Sequence, residues 1–214
     1  MFLILMATLF STSSPAASFA SKCPNLLECT KSVSNLTGEK YIFNKRDYEV
    51  VVTSTGNLEL TKENAVELLT RALYDEGYTR VPMNEPGTYS IMRIREARDT
   101  ALPEFKANAT TTPPIPDSYD TVQLVYKLNH DEVMDQICRY IRRSLPQTSR
   151  VLPNDIMNSI TVTSTARDLK RLVSTIREMD IKPSAALKAK WAREEKERQE
   201  NPPEHGKGKP KNGP

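Results

Sequence analysis

A polar stretch carrying Pro103, Pro113, Pro114 and Pro116 cuts the 214-residue chain in two. Residues 99–118 also contain the run Ala107-Asn-Ala-Thr-Thr-Thr112 and little apolar area, so the segment is expected to stay extended and solvated. That break rules out one large core and requires each flank to close a small core of its own. Hydrophobic residues make up 38% and aromatics 7%, which suits two small cores.

The first flank, residues 22–98, has helical spacing at Leu26, Leu27, Thr30, Val33 and Leu36, with Pro24 fit for a first turn and Gly38 as a stop. Tyr41 to Phe43 and Glu49 to Ser54 predict strands. Thr61 is the expected N-cap of a second helix that buries Ala65, Leu68, Leu69, Ala72 and Leu73 and ends at Gly77. Tyr78 to Val81 and Tyr89 to Ile94 predict a hairpin. The second flank, residues 119–180, reads as strand, helix, strand, strand, helix. Thr121 to Leu128 alternates, and Val133, Met134, Ile137, Tyr140, Ile141 and Leu145 share a helix face. Arg150 to Leu152 and Ser159 to Thr163 predict a second hairpin. Thr165-Ala-Arg-Asp168 forms a capping box ahead of Leu169, Leu172, Val173, Ile176 and Met179. The expected fold class is therefore α+β: two small α/β-sandwich modules, the second βαββα and KH-like, joined by the Pro-rich linker. Residues 181–214 form a charged tail, helical over Ala185 to Gln199 and disordered after Pro202.

Charge is concentrated at the end. Nine Lys/Arg against five Glu give residues 181–214 a charge of +4, leaving the remainder at −1. A folded part so close to neutral argues against a basic nucleic-acid-binding face. Residues 1–20 read as a signal peptide, with an apolar run from Phe2 to Phe10 and a small-x-small site at Ser18-Phe19-Ala20. No Lys or Arg precedes that run, and Lys22 before Cys23 excludes a lipobox. No other stretch is apolar enough to span a membrane.

Three cysteines leave at least one unpaired. On one continuous helix the Cα atoms of Cys23 and Cys29 would stand about 9 Å apart, beyond disulfide reach. Helix initiation at Pro24 keeps a bridge open, but three free cysteines is the favoured reading. Catalytic and metal constellations are missing: His130 and His205 lie far apart, and no Cys/His set, glycine elbow or phosphate loop occurs. The KH comparison fails on chemistry, because the second module has no glycine between Ser118 and Asp180 to clamp a nucleic-acid backbone. Asn35-Leu-Thr37 and Asn108-Ala-Thr110 match glycosylation acceptors, a match common by chance.

The ordered set of stretches resembles the N-terminal periplasmic domains of type II secretion secretins. Asn25 to Phe43, Val51 to Ser54, Leu60 to Ala65, Leu73 to Tyr78 and Tyr89 to Ala97 are similar to the first such domain. Val125 to Leu128, Asn158 to Thr163 and Leu169 to Asp180 are similar to the following NolW-like repeat. The resemblance implies a non-enzymatic, exported, periplasmic component of a type II secretion or type IV pilus-like machine, with no cofactor. Its implied partners are secretin subunits, inner-membrane components or further copies of itself. The family's further repeats and gate-forming β-barrel have no counterpart in residues 181–214, so a pore is not expected. The family's first strand falls near Ala17 to Lys22, inside the cleavage region. Its loss would leave Glu49, Val50, Val51, Val52, Thr53 and Ser54 as a partner-binding edge strand. A truncated remnant without partners and a KH-like nucleic-acid binder are the alternatives.

Overall fold

The computed structural model describes residues 18–44, 47, 50–52 and 58–200. Within them the chain forms two α/β modules, each with its own core.

The first module begins with a one-turn helix α1 (Phe19–Lys22) and α2 (Leu26–Thr37). Pro24 stands just outside α2. The N-cap is Asn25, whose side chain accepts from Glu28 N at 2.9 Å, and Gly38 closes the helix at φ +79°. Strand β1 (Lys40–Ile42) follows, then α3 (Ala65–Asp75), β2 (Tyr78–Pro82), β3 (Thr88–Arg93) and the short α4 (Ile94–Ala97). The expected cap at Thr61 is displaced. Asn64 takes the N-cap position, its Oδ1 accepting from Thr61 N at 2.9 Å while its amide donates to Glu59 O, so the helix starts after a turn at residues 62–64. Gly77, at φ +80°, ends α3 as expected. The sheet order is β1-β3-β2, with β1 parallel and β2 antiparallel to β3. Phe19, Leu26, Val33, Leu69, Leu73 and Ile91 meet in its core.

The second module starts earlier than the proline pattern suggests. Glu104–Ala107 forms β4, parallel to β5 (Thr121–Lys127), and Ala107 and Ile115 are buried in the core. The linker expectation is therefore corrected over these residues. The prolines flank β4 rather than interrupt it, and Phe105 and Ile115 gain cover once β5 offers an edge. After β5 come a 3₁₀ turn (Asp131–Val133), α5 (Met134–Ser144), β6 (Arg150–Asn154), β7 (Ser159–Thr165) and α6 (Ala166–Met179). The order β4-β5-β7-β6 places the expected βαββα unit beside one added strand. On α5, Cys138 is buried where Tyr140 was expected; Tyr140 stays 42% exposed.

Helix α6 shows how local chemistry sets a boundary. Thr165 Oγ1 accepts from Asp168 N at 3.1 Å and donates to the Asp168 carboxylate at 2.8 Å. Thr165→Ala is expected to cost about 1 kcal/mol, read as a lower urea midpoint without a change in slope. Beyond α6, α7 (Ala185–Glu200) leans on the second core through Trp191, and Lys188 pairs with Glu132. Residues 201–214 lie outside the described residues.

Candidate protein-contact site

The expected edge over residues 49–54 is only partly described. Glu49, Thr53 and Ser54 lie outside the described residues. Val50 to Val52 form no ladder; Val51 makes an isolated antiparallel bridge with Asn25. Leu26 N donates to Val50 O at 2.9 Å, and Val50 N donates to Asp47 O at 3.3 Å. The backbone there is spent on the entry to α2 and on a turn, which is why no regular strand forms. The Leu26–Val50 bond flanks the 25/51 pair, so the N–H and C=O of Val51 itself point away from Asn25. Val51 is 65% exposed and Val52 is buried, so among the described residues of this edge it is Val51 that faces outward.

Residues 1–17 of the expected signal segment lie outside the described residues. Its last three belong to the module. Ser18 bridges Glu59, Phe19 N donates to Leu58 O at 2.6 Å, and the Phe19 ring is 3% exposed in the core. A cut after Ala20 would remove that ring. The chain then turns at Cys23, which forms a disulfide with Cys29. This corrects the preference for free cysteines. Because α1 ends at Lys22 and α2 starts at Leu26, the two cysteines sit on different elements and their Cα atoms stand 4.0 Å apart. Cys138 is free and buried, and burial pushes its thiol pKa up.

Sequence reasoning missed the junction between modules. Arg80, on β2, is 6% exposed. Its Nε and Nη2 donate to the two oxygens of Asp120 at 2.8 and 3.1 Å, and its Nη1 donates to Glu39 at 2.6 Å. The guanidinium also lies 4.2 Å from the Tyr89 ring centre. Burial works against the charge, yet the Asp120 hydrogen bonds and the two carboxylates outweigh it and hold Arg80 above the ordinary arginine range. Burial, then Glu39, pushes the Tyr41 hydroxyl well above the usual tyrosine pKa. Beside this cluster, Thr121 N donates to the buried Thr79 Oγ1 at 2.9 Å, so β5 starts against the outer flank of β2. Next to Asp120, Tyr119 is held between Arg71 and Arg167, whose guanidiniums stand 4.9 and 4.5 Å from its ring centre. Arg167 also reaches Glu67 of the first module at 2.7 Å and Asp117 at 2.5 Å. Exposed pairs of this kind add little each, but they share one tyrosine.

His130 precedes the 3₁₀ turn, as its sequence position suggests. There the buried Asp180 carboxylate accepts from Asn129 N and His130 N, tying the turn to the end of α6. His205 lies outside the described residues. Among the described residues no group of three His, Cys, Asp or Glu is placed to hold a metal, and no helix is long and apolar enough to cross a membrane. Among the described residues the outer strands are β1 and β2 in one sheet, with β5 starting against β2, and β4 and β6 in the other. Pro153 removes one donor from β6. The hairpin after it exposes Ile156 at 96% and Met157 at 63%.

No protein-family model matches the chain, and no curated protein sequence does. Solved structures do. A chain of the Klebsiella pneumoniae type II secretion system outer membrane complex, containing PulD, PulS and the PulC HR domain, is similar at TM-score 0.56 and 18% identity. That match covers 92% of this chain and 33% of the other. The N-terminal domain of the secretin XcpQ from Pseudomonas aeruginosa matches at 18% identity and TM-score 0.28, covering 72% of this chain and 60% of that one. The enterotoxigenic Escherichia coli GspC-GspD complex matches at 16% identity and TM-score 0.26, covering 70% and 88%. The chain thus spans less than two thirds of the first two. At the level of the fold the chain is similar to part of the Klebsiella complex chain, in line with the secretin resemblance of its sequence pattern.

Proposed function

We propose that this protein is a non-enzymatic, periplasmic component of a type II secretion or related pilus-type envelope machine, acting through protein–protein assembly. The observation that carries the reading is the two-module fold, shared over 92% of the chain with a chain of a secretion outer-membrane complex. The buried Cys23–Cys29 bridge supports export, because such bonds persist in oxidising compartments. Secretin subunits or inner-membrane components of the machine are the partners, and self-association is part of the same reading.

The candidate partner edge is Glu49 to Ser54, with Val51 as its outward residue. An extended partner segment would add to it by main-chain hydrogen bonds. Val51→Pro deletes the outward N–H while leaving the Leu26–Val50 bond in place. Co-purification of the full chain from envelope fractions should then lose its secretin or inner-membrane partner by tenfold or more. Unchanged recovery would remove this edge from the proposal, and a lone monomer in the wild-type preparation would favour the partnerless remnant.

A further inference from the structure

A cleft of about 770 Å³ opens between the two modules, on the side of β3 and α4. Arg93, Arg95 and Arg98 all line it, and Glu76 is the one carboxylate among its lining residues. None of the three guanidiniums forms an ion pair among the described residues. Arg93 stacks 5.9 Å from the Tyr78 ring centre, but Arg98 Nε is buried with no hydrogen-bond partner. A buried donor without an acceptor is unfavourable, and an incoming acceptor would satisfy it. Val50, Tyr78 and Ile94 give the cleft an apolar floor, while Gln147 and Thr148 of the second module close its other wall.

We infer that this cleft binds an acidic peptide segment of a partner protein, with its carboxylates on Arg95 and Arg98. Guanidinium forks match carboxylates in a bidentate fashion, and among the described lining residues three arginines face one glutamate; Asp47, held by Tyr78, acts on Arg93, which leaves Arg95 and Arg98 as the forks for a ligand. The apolar floor favours a peptide over a bare anion, since side-chain or main-chain carbon can cover Val50 and Ile94 between the charged contacts. Because Arg80 and Tyr119 already fix the two walls, little ordering cost is left for binding. The inference does not rest on the envelope-machine reading; a chain without that role would keep the same cleft.

Fluorescence anisotropy on the full chain tests it, using a fluorescein-labelled nonapeptide of alternating Glu and Ser. The comparison probe alternates Gln and Ser at the same length. The Glu peptide should bind at least tenfold more tightly at low salt, and R95Q/R98Q should lose at least tenfold while its circular dichroism and melting temperature stay unchanged. Attraction to the lysine-rich tail alone would leave R95Q/R98Q binding intact and would overturn the inference. Equal binding of both peptides would also overturn it, as would tighter binding of a single-stranded oligonucleotide of the same charge. If R95Q/R98Q melts early, R95K/R98K supplies the reading: charge is kept but the fork is lost, and affinity should still fall severalfold.

Discussion

Replacing Arg80 with alanine lowers the unfolding free energy by about 3–5 kcal/mol, read by urea denaturation at neutral pH. The size follows from what is left behind. Glu39 and Asp120 are 19% and 16% exposed at their side chains, so both carboxylates would sit half-dry with no counter-charge. The expectation has an internal control. R80M/E39Q/D120N removes all three charges together and should cost less than R80A alone, since no stranded ion remains. Lysine should rescue only in part, because one ammonium cannot span the two Asp120 oxygens and Glu39 together. A loss below 1 kcal/mol for R80A would mean that solvent already screens the cluster.

Removing the Cys23–Cys29 bridge, by C23S/C29S or by reduction, should cost about 2–5 kcal/mol. Chain entropy for so short a loop accounts for roughly 2 kcal/mol. The remainder comes from the core, because both cysteines are fully buried beside Leu26 and Phe19. The effect should fall mainly on the first module. Trp191 is the chain's single tryptophan and packs on the second core, so its fluorescence reports that module. Under reducing conditions the circular dichroism transition should move to lower urea further than the Trp191 transition does. Equal shifts in both would mean that the junction unfolds the modules as one unit.

These two features were the least legible in the sequence. The second module could be read almost whole: α5 and α6 have strong periodicity, and Thr165 and Asp168 announce a helix start that the structure keeps. Disulfide spacing left the bridge open only if a helix began at Pro24 and favoured free cysteines; in the structure Asn25 caps a new helix after a turn, which leaves Cys23 outside it. Strand β4 was hidden by its shortness and by its prolines; four residues with one aromatic carry little signal until β5 lies beside them. Arg80 gave almost no local sign. A charge in a strand is usually solvated, and only the placement of Asp120, 40 residues on, makes this one an interior residue. The edge at Glu49 to Ser54 looked like a strand because its β-branched residues favour one, but Val50 is drawn off to the start of α2.

The junction joins the buried Arg80 ion pairs to Tyr119, held between two arginines, so parting the two modules would break both sets of contacts together.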